Sequence, residues 1–187
     1  DVIVLSGGYA GDIEQLLRQK KYAEAKTRAL HWQQVFNGNY FIELQRTELH
    51  DNSEIFPQLL QLASECAIPP VATHSIQFAA PEDFLAHEVR VCVADGELLD
   101  NSNREKKYSA DMYFKSSMEM NELFADIPEA LHNSVEIARK CNLEITLGKY
   151  FLPDFVPENG MPLEEYLSKM SYDGLAQRLE ELFPDSV

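Results

Sequence analysis

Three short apolar runs, each closed by turn or breaker residues and separated by helix-like sequence, constrain the fold of this chain more than any other feature. Val2–Leu5 runs into Ser6-Gly7-Gly8; Tyr40–Leu44 and Val71–Phe78 follow at similar intervals. After the first run, Asp12 is a candidate cap for a helix holding Ile13, Leu16 and Leu17. Lys21–Phe36 reads as the next helix, apolar at Tyr22, Ala25, Ala29, Trp32 and Phe36. Asn37-Gly38-Asn39 stops it with residues that tolerate positive φ. Asp51-Asn52-Ser53 opens a third helix to about Ala67, which Pro69-Pro70 breaks. Strands alternating with helices in this way read as parallel β/α units, in a barrel or an open sheet. Sites in such folds gather at the C-terminal ends of the strands. Here those ends fall near Ser6–Gly8, Glu43–Arg46 and Thr73–Phe78.

After Ala80 the pattern changes. Glu82–Val93 is helical, Asp95–Tyr108 is polar and loop-like, and two helices follow at about Ser116–Ala125 and Pro128–Cys141. Leu143–Leu147 has the length and alternation of a short strand. Pro153, Pro157, Gly160 and Pro162 mark a linker before an amphipathic, acidic helix over Leu163–Leu182, with Gly174 a point where it bends or breaks. The chain opens at Asp1, almost inside a strand, which suggests a piece cut from a longer protein. No apolar run approaches the ~20 residues that span a bilayer.

Charge narrows the function classes. Sixteen Lys and Arg against 31 Asp and Glu give a net charge of −15. A surface built to grip phosphates is basic, so most of this one repels DNA and RNA. The three cysteines, Cys66, Cys92 and Cys141, are far apart and odd in number. That pattern points to reduced thiols in a cytoplasm.

Few local motifs carry chemistry. His87-Glu88 begins a zinc-protease signature, but position 91 is Val, so the second ligand one helical turn on is missing. His87 is better read as a packing or hydrogen-bonding residue. Ser6-Gly7-Gly8 with Gly11, between a strand and a helix, would suit a phosphate on helix N–H groups. It lacks the lysine and spacing of a P-loop and the full dinucleotide pattern, and a plain tight turn is the better reading. No Gly-x-Ser-x-Gly elbow occurs, and no cysteine has a histidine partner in sequence. Glu164-Glu165 complements a helix N-terminus better than it forms an acid/base pair.

Longer blocks carry a resemblance. YFIELQRT (Tyr40–Thr47), PPVATHSIQF (Pro69–Phe78), DFLAHEVRVCVADGELLD (Asp83–Asp100), ELFADIPEALHNSVEIARKCN (Glu122–Asn142) and LGKYFLPDF (Leu147–Phe155) resemble, in order, bacterial DNA polymerase III alpha subunits. The matching region is the later part of their PHP (polymerase and histidinol phosphatase) domain and the passage toward the polymerase core. The resemblance implies an α/β fold, the later part of a distorted (β/α)₇ barrel followed by a mainly helical extension. It implies a division into a barrel portion over 1–80, a helical remainder over 81–148, and a linker with an acidic helix over 149–187.

The same resemblance bears on metal. Metal-competent relatives read Asn-Asp-x-His directly after the residues that match Val71-Ala72-Thr73, where this chain has His74, Ser75, Ile76 and Gln77. They often carry Leu-Ser-Gly-Cys at the first turn, where this chain ends in Gly8. Three ligand positions, Gly8, Ser75 and Gln77, thus hold residues that are not usual transition-metal ligands. If the third strand runs to Phe78, Ser75 and Gln77 share one face, as an Asp-x-His pair would need. The implied reading is a degenerate site with no metal, no cofactor and no catalytic residue in this chain. The family's acidic palm motif, which holds the Mg ions of the parent polymerase, is absent; LPDF (Leu152–Phe155) has one acid only. The resemblance therefore implies a scaffold and docking region of a cytoplasmic DNA polymerase. Its partners would be the other holoenzyme subunits, the proofreading exonuclease among them, with DNA bound mainly by the rest of the parent and no membrane. The alternative is an active PHP phosphoesterase or exonuclease.

Overall fold

A computed structural model describes residues 2–49, 54–157 and 160–184. It divides into two compact units, Asp1–Asn142 and Leu143–Val187.

The first unit holds a parallel sheet in the order β1-β2-β3, with β1 over Val4–Leu5, β2 over Tyr40–Gln45 and β3 over Pro70–Thr73. Val4 pairs with Tyr40 and Leu5 with Phe41; Ile42 through Gln45 pair with Pro70 through Thr73. Among the described residues the sheet has three strands and is open, not a closed barrel. Helices α1 (Asp12–Arg18), α2 (Tyr22–Val35) and α3 (Ile55–Cys66) connect the strands. Then follow α4 (Phe84–Asp95), α5 (Ser117–Leu123) and α6 (Pro128–Lys140).

Strand period sorts the central strand into two faces. Tyr40, Ile42 and Leu44 enter one core cluster with Ile13 and Leu17 of α1, Ala25 and Ala29 of α2, and Leu59 and Leu62 of α3. The two alanines of α2 are fully buried. Each buried leucine or isoleucine contributes about 1.5–3 kcal/mol relative to exposure. The other face of β2 carries Phe41, Glu43 and Gln45, beside Val71 and Thr73 of β3. It is buried too, but it ends in polar side chains.

Several expectations shift at their edges. Asp12 is the first residue of α1 rather than its cap; Gly11 caps it without a side-chain bond. The Asp12 carboxylate instead accepts from Trp32 Nε1 at 2.9 Å. The expected opening of α3 at Asp51-Asn52-Ser53 lies outside the described residues. β3 stops at Thr73, not at Phe78. Beyond it the Ile76 amide donates to the His74 carbonyl at 3.0 Å, a tight turn that ends extended pairing.

In the second unit, α7 spans Leu163–Leu182 and is continuous through Gly174, so the helix does not break there. Leu143–Leu147 is not a strand. Its alternation is real, but Leu143, Ile145 and Leu147 are all at least 72% exposed, and no ladder takes up their backbone groups. Among the described residues no helix is long and apolar enough to cross a membrane.

Candidate functional site

The C-terminal ends of the three strands meet in a closed polar relay. Ser6 follows β1, and its hydroxyl accepts from the Glu43 amide at 2.9 Å. Glu43 is buried near the end of β2. Its Oε1 accepts from Thr73 Oγ1 at 2.6 Å and from Gln45 Nε2 at 3.0 Å. Strand pairing places Gln45 opposite Thr73, and the two-residue period brings Glu43 to their side of the sheet. A buried carboxylate needs such donors, because leaving it unbonded costs several kcal/mol on the order of a lost charge–dipole interaction.

Gly8 sits in the turn after β1 with φ +52°, a left-handed conformation that favours glycine. A Cβ there would come within 2.5 Å of Gln45 Oε1. The space beside Gly8 is therefore filled by the Gln45 amide, and a cysteine at this position would displace it. Gly11 is needed for another reason, since a Cβ there would strike the Ser6 carbonyl at 1.8 Å. The Ser6–Gly11 glycines are thus accounted for by close packing of the strand-to-helix turn.

Past β3 the chain is held by a strap over Ser109–Phe114. The Gln77 amide donates to the Met112 carbonyl at 2.8 Å, and the Phe114 amide to the Phe78 carbonyl at 3.1 Å. His74 Nε2 lies 2.7 Å from the Asp111 carbonyl, which requires Nε2 to carry the proton. Asp111 also accepts from the Glu48 amide at 3.1 Å and from the Ser109 hydroxyl. Met112 is buried beneath the strap.

The sequence-predicted positions thus do not share a strand. Gly8 is beside Gln45; Ser75 is half-buried and Gln77 exposed in the turn beyond β3. The argument that Ser75 and Gln77 share a strand face fails, because the strand has ended. The donors this chain supplies do not fit a transition metal: an amide, two hydroxyls and one carboxylate already bonded to them, with His74 bonded to a carbonyl. Among the described residues no group of three or more His, Cys, Asp or Glu is placed to hold a metal ion.

His87 lies in a ring cluster, 5.4 Å from Phe78 and edge-on to Tyr108 at 4.6 Å. The adjoining Glu88 makes a buried ion pair with Arg104 at 2.5 Å, which folds the polar loop after α4 back onto that helix. Sequence reasoning missed Glu43 and Arg46. Glu43 looks like one polar residue in an apolar strand; its opposition to Thr73 appears only once register is known. Arg46 lies over the rings of Phe56 and Phe124 at 4.3 and 5.0 Å, bonds Asp126 through both terminal nitrogens at 2.7 Å, and reaches the Leu123 carbonyl. It ties the end of β2 to the α5–α6 corner.

No protein-family model matches the chain. Among curated proteins it is similar to DNA polymerase III subunit alpha of Pseudomonas aeruginosa, 45% identical over 183 residues. The subunits of Vibrio cholerae and Escherichia coli are each 44% identical over 184 residues. Each match covers 98% of this chain and 16% of the relative, so the chain spans about one-sixth of the length of the proteins it matches.

Proposed function

We propose that this chain, homologous to DNA polymerase III alpha subunits, is a non-catalytic scaffold and protein-docking portion of such a subunit, the whole of which carries out template-directed, Mg-dependent DNA synthesis. Homology over 98% of this chain carries the reading. In it, the open sheet is the later part of a PHP barrel over 1–80, completed by a helical part over 81–148. Residues 149–187 are the passage toward the polymerase core. Gly8, Ser75 and Gln77 stand at lost ligand positions. The polar relay on Glu43 and the strap on His74 and Met112 support this, since hydrogen bonds between protein groups already join the strand ends. Partners are other holoenzyme subunits, the proofreading exonuclease among them, and the net charge of −15 favours a protein partner over DNA.

A chimera tests the reading. This chain replaces the matching segment of the Pseudomonas aeruginosa subunit, and primer extension and elemental zinc are measured on the purified product. Extension near the parental rate, with no zinc attributable to the inserted segment, is expected. A folded chimera without extension activity overturns the family role. About one tightly held zinc per copy of the isolated chain overturns the degenerate site.

A further inference from the structure

Between α3 and α6, on the β3 side of the sheet, lies a pocket of about 450 Å³, within the size range of ligand sites. Its first wall is one face of α3 and its cap: Leu60, Ala63, Ser64 and Ala67, at helical spacing. All but Leu60 are small, so the backbone of a partner can come close. The floor is the turn into β3, from Ile68 to Pro70. Ile127 and Glu129, at the start of α6, make the second wall.

The lining is poor in donors. Pro69 and Pro70 have no N–H. The Ala67 amide donates to the Ser64 carbonyl at 3.2 Å, Ile68 to Ala63 at 2.9 Å and Ile127 to Phe124 at 2.9 Å. The proline carbonyls are taken too, Pro69 by the Ile42 amide at 3.1 Å and Pro70 by Asn133 Nδ2 at 2.7 Å. What remains can accept. The Ser64 hydroxyl on one wall and the Glu129 carboxylate on the other belong to exposed residues, and neither bonds another group among the described residues. The C-terminal end of α3 adds partial negative charge, and no lysine or arginine lines the pocket.

The complementary group is a cation with N–H groups for both walls and an apolar stem for the floor. Arginine fits better than lysine: its planar fork reaches two acceptors, and its methylenes lie on proline and isoleucine. The net charge of −15 draws basic segments toward the chain.

We infer that the pocket between α3 and α6 docks an arginine, flanked by apolar residues, on a segment of a partner protein. The inference rests on the docking role proposed above and gives that role a place. Ile68 and Ile127 line the pocket, so their δ1-methyl NMR signals report it, both in the 187-residue chain and in the chimera. A blocked Leu-Arg-Leu peptide shifts both signals in both proteins, with a dissociation constant on the order of millimolar. The same peptide with citrulline for arginine keeps the shape without the charge and binds about fivefold more weakly, the upper end for an exposed ion pair. Glu129→Gln, at an exposed position, removes that difference; Ser64→Leu, also exposed, fills the pocket and weakens both peptides. Propylguanidinium, which lacks the apolar neighbours, binds about tenfold more weakly than Leu-Arg-Leu. No shift, equal binding of the two peptides, a difference that survives Glu129→Gln, or propylguanidinium as tight as the peptide overturns the inference. So do shifts in the 187-residue chain that vanish in the chimera, because the rest of the subunit then covers the pocket. Primer extension by the chimera reads the family role separately, so the failure of one is told apart from the failure of the other.

Discussion

Glu43 shows how one residue can join three strands: its amide donates to Ser6 after β1, and its carboxylate accepts from Thr73 of β3. Replacing it with alanine leaves the Thr73 hydroxyl and the Gln45 amide without their acceptor in a buried place. The expected loss is about 2–4 kcal/mol in urea unfolding, whereas Glu43→Gln, which keeps one acceptor, loses about half as much. Equal losses for the two would mean that packing, not the relay, sets the cost. Glu119 is a second residue with a calculable consequence. The Tyr113 hydroxyl, the Ser116 hydroxyl and the Ser116 amide all donate to it, and they lower its pKa from 4.5 to about 2. A depressed carboxyl stabilises the fold above its unfolded value, and that stabilisation is lost as pH falls through the folded value. Glu119→Gln should therefore flatten the acid side of the stability curve between about pH 4.5 and 2 and leave the neutral side parallel. Carboxyl resonances followed by NMR check the assignment. The Ser116-x-x-Glu119 box was within reach of sequence reading, because both partners lie in one helical turn. The Glu43 relay was not, since its partners are 30 and 37 residues away and depend on strand register.

At the scale of elements, periodicity fixed most helices to within a residue or two. The stripe of Tyr22, Ala25, Ala29 and Trp32 predicted α2, and the run from Leu163 to Leu182 is helix over that whole range. Strand ends were harder. Val71–Phe78 is apolar enough to continue, but the His74–Ile76 turn and the strap on Met112 override that local preference. Leu143–Leu147 failed for the converse reason: alternation without a partner strand does not make a sheet. The join between β2 and the α5–α6 corner depends on Arg46, whose planar fork serves Asp126 while its faces lie on two rings. Lysine keeps the charge but neither the fork nor the stacking. Arg46→Lys should destabilise by about 1–3 kcal/mol, and α5 and α6 should exchange amide hydrogens faster than β2 does. Uniform acceleration across the sheet and both helices would show that Arg46 acts on global stability and not on this corner.

Across the whole molecule, charge sets the limits of what the chain can grip. Six of the 16 lysines and arginines are held locally by carboxylates: Arg18 on Glu14, Lys26 on Glu65, Arg46 on Asp126, Arg104 on Glu88, Lys107 on Asp95 and Lys169 on Asp173. Most of these pairs are exposed and contribute little to stability. Their effect on recognition is larger, because a lysine held by a carboxylate releases no counterion from DNA without first giving up its partner. With 31 acids against 16 bases, long-range repulsion adds to that local neutralisation. The 187-residue chain should therefore bind duplex DNA more weakly than about 100 μM at physiological salt. Lowering the salt cuts both ways: it strengthens any phosphate contact but also lengthens the reach of the net negative field. A chain without a basic track should gain little affinity between about 200 and 50 mM salt, where a protein with six or more phosphate contacts gains about a thousandfold or more. Micromolar binding with that steep slope in an anisotropy titration would reveal a basic surface strong enough to outweigh the field.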